Sequence, residues 1–147
     1  MLKSTLLEIF ERDLNKLIEE INLYKQEESL WEIKEGISNS AGNLCLHLVG
    51  NLNYFIGATL GQTGYIRHRE DEFNLKNILR TDLIININNC ALIVKETIEK
   101  LTVEDLNKDF PLEKHGSVVS TTHMLVHLLV HLGYHLGQIN YHRRLIG

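Results

Sequence analysis

The chain of 147 residues has one proline, two cysteines, one tryptophan and no block of basic residues. Each scarcity excludes something. With a single proline, little interrupts a helix from within. Strand-like alternation is scarce as well, so the composition favours helices. Two cysteines cannot form a disulfide framework, and a chain of this length buries roughly two-thirds of its unfolded surface without one. Cys45 and Cys90 both lie in apolar stretches, which fits a reducing compartment. Lys and Arg number 15 against 19 Asp and Glu, a net charge of −4. Nucleic-acid binding needs clustered cations, so none is expected. The most apolar stretch, 44–60, is interrupted by His47, Asn51 and Asn53, and is marginal against the roughly 20 apolar residues of a membrane span. Residues Met1 to Thr5 pass directly into an amphipathic pattern with no apolar signal core. The expected location is the cytoplasm, without membrane contact.

What is present is a globular composition, 44% hydrophobic and 23% charged, of a length that suits one domain over residues 1–147. Four helices are predicted. The first runs from about Leu2 to Lys25, with Leu6, Ile9, Phe10, Leu14, Leu17, Ile18 and Ile21 at three- and four-residue spacing. The second runs from about Gly42 to Leu60, after a loop at 38–40 that offers an N-cap. Residues 65–73 form a charged linker. The third helix runs from about Leu75 to Leu101 and the fourth from about Ser120 to Leu145, capped by Thr121 or Thr122. A short helical turn is expected at 102–106, and Pro111 marks a long connection after it. The fold class is all-α, a four-helix bundle.

Histidine is the residue in excess. His123, His127, His131 and His135 recur every fourth residue on the last helix. Each step of four drifts by about 40°, so neighbours share a face while His123 and His135 lie about 120° apart. Two adjacent members can aim at one ion, and a third ligand must come from elsewhere. His47 lies near the core-facing stripe of the second helix, with Asn51 one turn on. A neutral imidazole in a bundle needs partners for both nitrogens, and a metal on one with a hydrogen bond on the other would supply them. His47 alone also reads as a hydrogen-bonded core residue. His127 shares a face with His131 and stays ambiguous; His68, His115, His123 and His142 read as solvated.

The run from His131 to Ile139, His-Leu-Gly-Tyr-His-Leu-Gly-Gln-Ile, resembles the C-terminal signature of the DinB-like metal-binding superfamily. There a His pair four apart is followed by x-Gly-Gln, and a single His stands on the second helix, here His47. Asn43 to His47, Gly50 to Leu52, Arg67, Arg69, Glu72 and Phe73 resemble an uncharacterised branch, so the likeness spans nearly the whole chain. It implies an up-down-down-up bundle with a long crossover between the second and third helices. It also implies a divalent metal, zinc or nickel, held by His47, His131 and His135. Some relatives are transferases that use a low-molecular-weight thiol such as bacillithiol.

Three neutral ligands leave a divalent ion its full charge and an open position, as at catalytic zinc. Such an ion holds a thiol as the nucleophilic thiolate or acidifies a water. The expected function is therefore a metal-dependent transferase acting with a small thiol on an electrophile. The alternatives are a non-catalytic metal-binding or stress-response bundle and a metal-dependent hydrolase. Gln138, Asn51 and Tyr134 are expected to orient the metal-binding rings. Arg67 and Arg69 are candidates to hold a carboxylate of the cosubstrate, against the plainer expectation of a solvated linker paired with Glu70, Asp71 and Glu72. Metal affinity is expected to weaken as pH falls through about 6–5, on the ordinary His pKa of about 6.5. Leu30, Trp31 and Ile33 lie outside the four stripes and Tyr65-Ile66 in a linker. Together they suggest an exposed patch and a homodimer, unless Trp31 caps its own bundle.

Overall fold

A computed structural model describes all 147 residues. It is mostly helical and has no strand. The elements are α1 (Leu2–Leu23), a 3₁₀ turn (Glu27–Trp31), α2 (Ala41–Leu52) continuing as a π-helical segment (Asn53–Ala58), α3 (Arg69–Asn74), α4 (Arg80–Lys100), α5 (Val103–Asn107) and α6 (Thr121–Ile146). α1 buries Leu6, Phe10, Leu14, Leu17 and Ile21, the stripe its spacing predicts. α2 starts at Ser40, whose hydroxyl accepts the Asn43 amide at 3.2 Å. α6 is capped by Ser120, whose hydroxyl accepts the His123 amide at 3.0 Å, rather than by Thr121 or Thr122. Those two threonines instead donate to the carbonyls of Lys108 and Leu106, tying α6 to the end of α5. No helix is long and apolar enough to cross a membrane.

α1 packs on α4 and α6, and α2 packs on the same two helices. Lys3 at the start of α1 donates to the carbonyls of Glu99 and Leu101 at the end of α4. Glu20 near the end of α1 accepts from Asn140 and Arg143 near the end of α6. The core between the helices includes Leu17, Ile21, Leu48, Leu52, Leu83 and Ile87, none of them exposed. Each such side chain contributes about 1.5–3 kcal/mol by leaving water. Cys45 and Cys90 are buried and unpaired. Burial pushes both thiols up to about 12, so neither supplies a thiolate near neutral pH.

Three expectations are corrected here. The third long helix starts at Arg80, not Leu75: Leu75 and Leu79 are extended and Asn77 has φ +59°, a left-handed conformation that asparagine tolerates. The segment 65–73 is not simply a solvated linker, because its second half is α3 and Glu72 on it is buried. Leu30 and Trp31 do not form an exposed patch. Leu30 is fully buried, and the Trp31 ring lies so close to Gly42 that a Cβ there would come within 2.7 Å of it. Ile33 and Ile66 do remain exposed.

Candidate metal centre

α2 and α6 place their histidines face to face. His47 on α2 is 6% exposed. Its Nδ1 lies 3.0 Å from Glu72 Oε1. An ionised carboxylate only accepts, so Nδ1 carries a proton, and the neutral tautomer this selects has its bare lone pair on Nε2. On α6, His135 Nδ1 donates to Gln138 Oε1 at 2.7 Å, which fixes the same tautomer. The two bare nitrogens flank a third: His131 Nε2 lies 3.2 Å from His47 Nε2 and 3.0 Å from His135 Nε2. The three ligating atoms all fall within 4.8 Å of one another. Metal–nitrogen bonds of about 2.0–2.1 Å set neighbouring donors about 2.8–3.4 Å apart, the lower end octahedral and the upper end tetrahedral.

His131 decides whether this cluster suits a cation. A proton on its Nε2 can serve one flanking lone pair and leaves the other opposed. Its Nδ1 is buried without a partner. A cation among the three nitrogens accepts all three lone pairs at once, so the donor set fits a divalent metal. Burial and the neighbouring His135 and His47 push His131 down to about 4. Burial also lowers His135, partly offset by its bond to Gln138. His131 and His135 are thus biased toward the neutral form that metals bind.

Glu72 belongs to this centre although the sequence placed it in a charged run. Arg67 clamps it, Nε to Oε2 and Nη2 to Oε1, both at 2.9 Å. Burial opposes its ionisation, but the bonds from His47 and Arg67 outweigh it and hold the carboxyl below the usual range. The carboxylate lies against α2 at Gly50, where a Cβ would come within 2.0 Å of Oε2. The buried Asn43 amide donates to the carbonyls of Glu72 and Leu75 at 2.9 and 2.8 Å, strapping α3 to α2. Phe73 covers the His47 ring at 4.9 Å.

The other expected site residues divide. Gln138 orients His135, as described. Asn51 is buried near the cluster, but it bonds none of the three histidines and its Oδ1 has no partner. Tyr134 is 64% exposed and meets the edge of His135 at 5.2 Å, with no hydrogen bond from its hydroxyl; it lines a groove instead. Arg67 gives its Nε and Nη2 to Glu72 and lines a cleft beside the cluster. Arg69 is exposed, its guanidinium 5.5 Å from the Phe73 ring centre. His142 is not solvated: it is 4% exposed, its Nε2 donates to the Glu32 carbonyl and its Nδ1 accepts from Tyr24. His68, His115 and His123 are exposed, and His127 is half-buried. Glu72 escapes sequence reasoning because its neighbours Glu70 and Asp71 are exposed and helical periodicity over six residues is too short to single it out.

A model of the family described as "protein of unknown function (DUF1572)" matches residues 3–147. No curated protein matches the chain.

Proposed function

We propose that this chain, which belongs to the DUF1572 family of proteins of unknown function, is a DinB-like, metal-dependent transferase that joins a low-molecular-weight thiol to an electrophile. The observation that carries the metal reading is the convergence of three imidazole nitrogens, with Glu72 and Gln138 accepting from the Nδ1 of His47 and His135 and so keeping the ring proton off the converging Nε2 atoms. His47, His131 and His135 would hold the ion, zinc or nickel. Bound there, it would supply charge to keep a thiol ionised near neutral pH. The chain's own part is to hold the rings in one tautomer, through Glu72 under the Arg67 clamp and through Gln138. Its cysteines are too deeply buried to act as nucleophiles, so the thiol comes from a cosubstrate. The up-down-down-up arrangement is supported by Lys3 meeting the end of α4 and Glu20 meeting the end of α6.

The test is elemental analysis of protein purified without a tag or chelating resin, followed by a panel of small thiols with an electrophile. Stoichiometric metal and thiol-dependent turnover support the reading. Turnover with water alone favours a hydrolase, and stoichiometric metal with no turnover favours a binding protein. We also propose a homodimer. Val126, Val130, Tyr134 and Tyr141 lie exposed along α6 and support it. Light scattering that reports 16.9 kDa across a hundredfold dilution would reject it.

A further inference from the structure

The outer face of α6 differs from those of the other long helices. α1 exposes Glu8, Glu11, Arg12, Lys16 and Glu19, and α4 exposes Lys95, Glu96, Glu99 and Lys100. α6 contains no Asp or Glu, and its only Lys or Arg residues are Arg143 and Arg144 in the last turn. Arg143 is tied to Glu20 of its own chain, and the Arg144 guanidinium lies 5.0 Å from the Tyr141 ring centre. What α6 exposes instead is Val126, Val130, Tyr134, Tyr141 and Leu145, each between 43% and 69% exposed. Gly133 and Gly137 lie among them, and a Cβ on either would meet open space. A glycine inside a helix costs about 1 kcal/mol relative to alanine, and packing within the chain calls for neither of these.

At 100° per residue these five side chains and the two glycines fall within about 120° around the helix. Their order along it is self-complementary. An antiparallel second copy of α6, related by a two-fold axis between His135 and Leu136, sets Val126 against the partner's Leu145 and Val130 against the partner's Tyr141. The same axis lays the Tyr134 ring on the partner's Gly137 and brings Gln138 over the partner's Gly133. Sliding the pair by one turn either way leaves Leu145 or Val126 with no counterpart. A two-fold contact requires this kind of self-match, because one patch serves both sides. The stripe from Val126 to Tyr141 carries no Lys, Arg, Asp or Glu, so two copies meet there without like-charge repulsion.

We infer that a second copy of this chain docks antiparallel on the outer face of α6 and roofs one side of the histidine cluster. A groove of about 430 Å³ runs beside that helix, with Tyr134, His135, Gln138 and Tyr141 in its wall. The partner's helix lies along the outer edge of this groove. It takes the bond between His135 and the exposed Gln138 out of open water, so the partner completes the surroundings of His135. Covering the five apolar side chains on both copies removes on the order of 1,200 Å² from water, the lower end of specific interfaces. The inference rests on the homodimer reading above and adds the face, the register and the shielding of His135; it does not depend on the metal.

The test is the dimer dissociation constant, read by light scattering over a dilution series. Val130→Glu, an exposed position whose fold is checked by circular dichroism, should raise that constant at least tenfold. Adding Tyr141→Lys should lower it again at least threefold, because the new charges face each other only across the two-fold axis; within one chain they stand about 16 Å apart along the helix. His123→Lys adds the same charge about 27 Å along the helix from the partner's position 130 and should not rescue. Hydroxyl-radical footprinting of the unaltered protein should show Tyr134 and Tyr141 protected at concentrations above the midpoint and reactive below it. Tyr65, which lines a different pocket with Leu46 and Asn86, should not change. A mass of 16.9 kDa at every concentration overturns the homodimer and this inference together. A dimer that is indifferent to Val130→Glu, or that leaves both tyrosines reactive, keeps the homodimer and overturns this face. Equal rescue by His123→Lys overturns the register.

Discussion

Glu72 and Gly50 act as one device. A carboxylate against α2 selects the His47 tautomer, and only a residue without a Cβ leaves room for it. Partners of this kind are worth about 10–100-fold in metal affinity. Glu72→Gln should therefore weaken zinc binding by about that factor in competition with a chromophoric chelator. Gly50→Ala should weaken it in the same direction while leaving the carboxylate in the chain, because the new methyl displaces Oε2. An unchanged affinity in both variants would mean that His47 needs no orienting partner. At this scale the sequence was partly legible. The paired histidines and Gln138 share one helix, so periodicity brings them together. Glu72 and His142 could not be read from spacing because their burial depends on residues far along the chain, His47 and Gly50 for one, Tyr24 and Glu32 for the other.

The elements show the same division. α1 and α6 follow their apolar spacing closely, while α3 and the extended residues after it depend on a tertiary contact. Asn43 on α2 takes two carbonyls of that strap and accepts from Lys76 and Ser40. No local pattern announces such a contact, so a helix was expected to run unbroken from Leu75. Asn43→Ala leaves two carbonyls without their donor, and buried polar groups so stranded cost about 1–3 kcal/mol each. The variant should lose about 2–3 kcal/mol in urea unfolding. Its amides at 69–75 should exchange hydrogen faster, with the interior of α1 unchanged. Because the strap carries Glu72, zinc affinity should fall as well. Full protection of 69–75 in the variant would show that the strap is held by something other than Asn43.

For the molecule as a whole, the bundle stabilises a cluster of neutral imidazoles, and that choice sets its response to acid. The unfolded chain takes a proton on His131 near the ordinary 6.5, whereas the folded chain resists it to about 4. Its folded value is depressed, so the unfolded state binds more protons between those limits. Stability is therefore full above about pH 6.5 and declines as pH falls toward 4. His127 and His135 are shifted the same way. Glu20 and Glu72 are lowered as well, so their contribution is lost only as pH falls below the ordinary carboxylate range. Metal-free protein should lose about 1 kcal/mol between pH 7 and 5 in urea unfolding through His131, the roughly 1.8 kcal/mol of its full shift being discounted for the solvent that still reaches the ring. Zinc at a hundredfold over its Kd should add about 2.7 kcal/mol at pH 7. The proton count on metal binding then tests the cluster directly. Three histidines of ordinary pKa would approach three released protons below about pH 5.5. With His131 already proton-free down to about 4, no more than two should be released at pH 5.5. The expected loss of affinity through pH 6–5 is correspondingly shallower than the ordinary His value implies. Calorimetry in buffers of different ionisation enthalpy counts those protons, and a count of three would show that His131 is not held neutral by its surroundings.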